Sequence, residues 1–192
     1  MAITEDSQLQ IERLIKDILI LIGENPDREG LQETPKRVAK MYSEIFKGYD
    51  KEEKPHITAF RNNSDGVKYD QMIIDSGYFY SFCEHHILPF FGEYFFAYIP
   101  DKNILGLSKV ARIIDYYSAR LQIQERLTKE IADEIENIVK PRGLALLLKA
   151  RHLCKEIRGV KKVNGFMITS EVRGIFRDEE KVKQEFLKAI KI

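Results

Sequence analysis

The chain has 192 residues, with 31 Lys and Arg against 30 Asp and Glu and a formal net charge of +1. Hydrophobic residues make up 44% and charged residues 32%, a globular composition that excludes disordered, collagen-like and membrane classes. The near-neutral balance also argues against a nucleic-acid binder that works by bulk charge, so any anion site must be local. Two cysteines, Cys83 and Cys154, cannot build a disulfide framework. The N-terminus carries acidic residues where a signal peptide needs a basic start, and its apolar run at 18–22 is far short of a membrane span. These readings place the chain in the cytosol, where reduced thiols serve more often as metal ligands or reactive groups.

Leu9, Ile11, Leu14, Ile15, Ile18, Leu19 and Ile22 recur at helical spacing, with Ser7 as the expected cap and Gly23 as the stop. Thr34-Pro35 predicts a second helix, Thr as N-cap and Pro in the first helical position, which Gly48 closes. The charged segment 50–55 reads as a linker, separating an N-terminal helical region (1–50) from a larger domain (51–192). Aromatic and β-branched runs predict strands at 57–60, 69–76, 78–82 and 90–99. Ser108 is the expected cap of a helix beginning SKVARIID, and a further helix spans 124–139. Strands follow at 144–154 and 163–172, and Asp178 is the expected cap of a last helix. Helices, strands, helices and strands in this order predict an α+β fold with an antiparallel sheet.

Three of the four histidines sit beside the two cysteines, in Cys83-Glu84-His85-His86 and His152-Leu153-Cys154. Cys83 and His86 have a spacing that lets one turn offer two ligands to one ion. His152 and Cys154, two apart, would face the same side of a strand. Two cysteines and one histidine make a three-ligand zinc shell with a fourth position open for water, the pattern of a catalytic site. The spare histidines then read as proton-transfer groups. Two other readings stay open: a closed structural site with two histidines, and cysteines that are simply small core residues.

Gly106-Leu107-Ser108-Lys109-Val110-Ala111-Arg112 places two cations in the first turns of a helix, where they oppose its dipole unless an anion binds. This predicts a phosphate site, although the sequence has no Walker A loop. Gln122-Ile123-Gln124-Glu125 offers amides and a carboxylate that suit a purine edge, and Arg158 follows Cys154 closely enough to add a cation.

Together, EGLQETPKRVAKMYSEIFKGY (29–49), CEHHILPFFG (83–92), AYIPDKNILGLSKVAR (97–112), RLQIQERLT (120–128) and ARHLCKEIRGVKK (150–162) resemble the GTP cyclohydrolase I family. The resemblance implies the tunnelling fold, an antiparallel sheet backed by two long helices, assembled as a homodecamer with active sites between subunits. It implies conversion of GTP and water to formate and 7,8-dihydroneopterin triphosphate; the charge balance and short apolar runs already predict no nucleic-acid or membrane partner. It implies zinc on Cys83, His86 and Cys154, acid–base roles for His85 and His152, and guanine recognition by Gln124 and Glu125. Ser108, Lys109, Arg112 and Arg158, with Arg37, would hold the triphosphate. Lys149, Lys155 and the segment 164–168 depart from the family pattern, which leaves a paralogue acting on another purine nucleotide as the alternative. A zinc deaminase is disfavoured because its H-x-E…P-C-x-x-C signature is absent.

Overall fold

The computed structural model describes residues 3–191, in two units, Met1–Glu53 and Lys54–Ile192. In the first unit, helices α1 (Glu5–Leu21) and α2 (Thr34–Ile45) pack on each other. Thr4, not Ser7, caps α1: its Oγ1 accepts the Ser7 N–H at 3.2 Å, which puts Ser7 inside the first turn. Helix α2 begins one residue earlier than expected, at Thr34, with Glu33 as N-cap and Pro35 still in the first turn, where a missing N–H costs nothing.

The second unit is built on a five-stranded sheet of order β5-β2-β3-β6-β7. Its strands are β2 (Ile73–Cys83), β3 (Pro89–Ile99), β5 (Leu121–Gln122), β6 (Gly143–His152) and β7 (Met167–Gly174). All neighbours are antiparallel except β5, which runs parallel to β2. A separate ribbon pairs β1 (Ala59–Arg61) with β4 (Asn103–Leu105). The two strands expected at 69–76 and 78–82 are one. Gly77 does not break it, because the Tyr94 ring from β3 lies over the space a side chain would fill. The strand expected from 163 begins only at Met167.

Alternation along the strands divides the apolar residues between two cores. Phe79, Phe90, Tyr94, Phe96, Leu144, Leu146 and Leu148 face helices α3 (Leu107–Ser118) and α4 (Gln124–Val139). From these helices come Val110, Ile113, Ile114, Leu127, Ile131, Ile135 and Val139, each nearly or fully buried. On the opposite face Ala97, Ile99 and Ala145 pack with Phe176 and Phe186 of the short α6 (Ile175–Asp178) and of α7 (Glu180–Ile190). Glu179, not Asp178, is the N-cap of α7. No helix among the described residues is long and apolar enough to cross a membrane.

Gly92 marks the tightest approach in the sheet: a Cβ there would fall onto the backbone carbonyl of Lys149. Arg173 of β7 fastens the sheet to α4. It donates to Asp133 at 2.6 Å, to Glu136 at 2.7 Å and to Glu171 at 3.0 Å, with only 12% of its side chain exposed. Burial pushes the Asp133 carboxyl up, but Arg173 and Lys129 outweigh it, so the net displacement is below the ordinary value. A depressed carboxylate stabilises the fold above its unfolded pKa, and that contribution is lost as pH falls through the folded value. Arg173→Met should therefore cost roughly 2 kcal/mol at neutral pH, between the values for surface and buried pairs. Urea unfolding should show the deficit shrinking towards about pH 3, below the ordinary carboxylate pKa. An equal deficit at both pH values would place its origin in lost packing.

Candidate active site

Strand β2 ends at Cys83, and the chain reverses at once into β3. The Ile87 N–H bonds back to the Cys83 carbonyl at 2.8 Å and the Cys83 N–H to the Leu88 carbonyl at 2.9 Å. Ile87 takes the left-handed conformation that closes this turn, at φ 53°. Glu84 anchors it sideways: its backbone N–H donates to the Gln122 carbonyl and its carboxylate receives Arg126 at 2.5 Å. Arg126 also donates to the Gln122 side chain and to the Leu121 carbonyl, so β5 and the first turn of α4 hold the Cys-Glu-His-His turn in place.

Strand β6 stops at His152, earlier than the sequence predicts. Leu153–Glu156 forms a single helical turn, α5, so Cys154 reaches the site from a helix rather than from the same strand face as His152. Arg151 and the buried Glu156 clamp this turn through two charge-assisted bonds at 3.0 and 2.5 Å, and Arg151 holds the Glu156 carboxyl below its usual pKa.

These two turns bring donor atoms of Cys83, His86 and Cys154 within 4.8 Å of one another. Both cysteines are free thiols. Cys83 Sγ lies 3.6 Å from His85 Nδ1 and 4.0 Å from His86 Nδ1. Burial, reinforced by Cys83 alongside, pushes the Cys154 thiol up. Two sulfurs and one imidazole form a donor set suited to zinc, so the residues present fit the group the family pattern implies. Arg158 Nη1 sits 2.7 Å from His86 Nε2. A guanidinium has only donors, so Nε2 accepts there and Nδ1 carries the proton. Coordination of a metal through either ring nitrogen would end this bond.

His152 is held on both sides. Its ring stacks on Phe90 at 4.6 Å with planes 2° apart, and its Nε2 meets Gln124 Oε1 at 2.8 Å. Burial lowers its pKa, while Glu125 pulls the other way. With Cys154, Lys155, Glu156, Gly165, Phe166 and Met167 it lines a cavity of about 300 Å³. Lys155 and three residues of the divergent 164–168 segment thus stand on the cavity wall.

The remaining predicted residues are dispersed. Gly106, not Ser108, is the N-cap of α3, and Ser108 lies exposed in the first turn. Lys109 Nζ donates to the His56 carbonyl at 3.2 Å, and Arg112 is exposed. Among the described residues no hydrogen bond or ion pair joins Ser108, Lys109 or Arg112 to the cysteine–histidine group. Arg37 lies exposed on α2, in the other unit. Glu125 is exposed in the first turn of α4, but Gln124 is buried, at 1% exposure. Its Nε2 faces the carbonyls of Leu148 and Met167 and the Thr169 hydroxyl at 3.0–3.1 Å. The side-chain donors expected to reach a base are therefore used inside the fold. The sequence held a signal for this: Gln124 stands three and seven residues before Leu127 and Ile131, on the apolar face of its own helix.

A family model described as GTP cyclohydrolase I matches residues 11–191. GTP cyclohydrolase 1 of Caldanaerobacter subterraneus subsp. tengcongensis is 48% identical over 94% of this chain and 95% of its own. GTP cyclohydrolase 1 of Deinococcus radiodurans is 44% identical over 96% and 85%, and that of Streptococcus agalactiae 43% over 96% and 97%. The matched span includes both turns that carry the thiols, and the chain belongs to the GTP cyclohydrolase I family.

Proposed function

We propose that this chain carries out the reaction of its family in the tunnelling fold, converting GTP and water to formate and 7,8-dihydroneopterin triphosphate, the first step of pteridine and folate synthesis. The observation that carries the reading is the convergence of Cys83, His86 and Cys154 from two distant turns. These three residues would hold zinc, which when bound supplies the Lewis acidity that makes water a nucleophile at neutral pH. His152 lines the cavity with Nε2 engaged by Gln124, and through Nδ1 would move the proton to and from the purine ring nitrogen that must leave. His85, exposed beside Cys83, is the second proton-transfer group. The exposed carboxylate of Glu125 would accept the N–H donors of the guanine edge. Ser108, Lys109, Arg112 and Arg158, with Arg37, would hold the triphosphate through charge-assisted bonds.

Lys155, Gly165 and Phe166 on the cavity wall favour one competing reading, the same site acting on another purine nucleotide. Incubation with GTP and with other purine triphosphates decides between the two. Formate and a fluorescent oxidised pterin from GTP alone support the first reading, and their absence with GTP overturns it. In the same assay His152→Ser should keep its metal and lose roughly 10²-fold or more in turnover, the scale of acid–base catalysis.

Metal analysis tests the ligand set. Cys154→Ala should lose zinc, whereas full retention would remove Cys154 from the shell.

Subunits would join as a homo-oligomer, a decamer by family pattern, with sites between chains. An exposed apolar surface supports this. It lies on β2 and β7 and the loop before β7, where Tyr78 is 71% exposed, Tyr80 68%, Phe166 56% and Ile168 50%. Mixing Cys83→Ala with Arg112→Ala should restore part of the activity after subunit exchange. A fully active monomer in sedimentation would overturn the assembly.

A further inference from the structure

The carboxamide of the buried Gln124 meets polar partners at both its ends. Oxygen and nitrogen of an amide look alike by shape, so the hydrogen-bond network must decide which is which. Here it does. One end of the amide faces two backbone carbonyls, Leu148 and Met167, which only accept. That end is therefore the NH2, and the other, 2.8 Å from His152 Nε2, is the oxygen. The neighbouring hydroxyls fix the direction further. Gln124 Nε2 reaches Thr169 Oγ1 at 3.1 Å, Thr169 Oγ1 lies 2.6 Å from Thr128 Oγ1, and Thr128 Oγ1 donates to the Gln124 backbone carbonyl at 2.7 Å. Because the Thr128 proton is committed to that carbonyl, Thr169 must donate to Thr128 and accept from Gln124. The circuit closes on the residue where it began, and reversing the amide would set its oxygen against two carbonyls in a buried site.

We propose that Gln124 is a positioning residue that sets the neutral tautomer and ring orientation of His152, with the proton on Nε2 and the lone pair on Nδ1. Phe90 fixes the ring plane by stacking, and the amide oxygen fixes rotation within that plane. Nδ1 then carries the lone pair that Gln124 does not engage, on a ring that lines the cavity. Gln124 acts through His152 and touches no substrate atom, which replaces the base-reading role its sequence context suggests. The catalytic consequence rests on the proposed cyclohydrolase reaction; the tautomer does not.

Two readouts separate these. Magic-angle-spinning 15N NMR of metal-loaded protein labelled at the histidine ring nitrogens, recorded near pH 8 where an ordinary imidazole is neutral, reports the tautomer directly. With four histidines in the chain, His152→Ser assigns the signal by difference. The wild type should show His152 protonated on Nε2, and Gln124→Leu should show a mixture. Thr169→Val, which removes one anchor of the amide without touching the ring, should shift the signal in the same direction and guards against a Gln124→Leu chain that does not fold. A proton on Nδ1 in the wild type, or an unchanged signal in a folded Gln124→Leu, overturns the proposal. Kinetics with GTP give the second readout. Gln124→Leu should lower kcat roughly 10- to 100-fold, the scale for partners that orient a functional histidine, with KM changed by less than about threefold. A raised KM with kcat preserved would assign Gln124 to substrate binding and overturn the proposal. The expected tautomer in a protein that leaves GTP untouched would uphold the positioning role and overturn the proposed reaction instead.

Discussion

The register of one central strand governs the site. Phe90 of β3 pairs with Ser81 on one side and with His152 on the other. That cross-sheet row places the end of β2, with Cys83, and the end of β6, with Cys154 just beyond it, at the same edge of the sheet. Residues 71 positions apart in sequence thereby become neighbours without either thiol lying on a pairing segment common to both. A slip of one residue would turn Phe90 away from the helices and His152 away from Gln124, since side chains alternate across a strand. The register is protected by what each face must bury. Phe90, Tyr94 and Phe96 face α3 and α4, whereas Ala97 and Ile99 face α6 and α7.

On this apolar frame α4 acts as a polar bracket. Its first turn sends Gln124 to His152, Arg126 to Glu84 and Thr128 to Thr169, so one helix end touches both turns and the neighbouring strand. Further along the same helix, Asp133 and Glu136 grip Arg173. Buried polar networks of this kind add little net stability but single out one arrangement, because every alternative leaves a donor or acceptor unmatched. The helix that packs Leu127, Ile131, Ile135 and Val139 against the sheet thus also holds the side chains around the two turns.

Much of this was legible in the chain. The segment opening at Ser108 predicts α3, the segment 124–139 predicts α4, aromatic and β-branched composition predicts β3, and the pairing of both thiols with histidines singles out the group whose donor atoms the fold brings together. What misled were local signals with more than one structural use. Ser7 and Ser108 are plausible caps, but Thr4 and Gly106 stand at the actual boundaries, because the first turns start earlier. The apolar run through Cys154 continues a strand pattern, yet the Arg151–Glu156 pair bends it into a helical turn after His152. Gln124 is the instructive case: its burial becomes evident only when its phase on the helix is set against Leu127 and Ile131. A network that depends on backbone carbonyls of two other strands leaves no trace in residue spacing.

Gly92 carries a consequence for how sequence variation in this chain is interpreted. It pairs with Ala150, two residues from His152, and has no room for even a methyl group against the Lys149 carbonyl. Any replacement must push β6 away from β3 close to the row that aligns the two thiols. In a genetic screen for lost activity, position 92 would therefore score with Cys83, Cys154 and His152 while performing no chemistry. Its sensitivity would be mechanical, a hinge point whose bulk sets the spacing of reactive groups elsewhere.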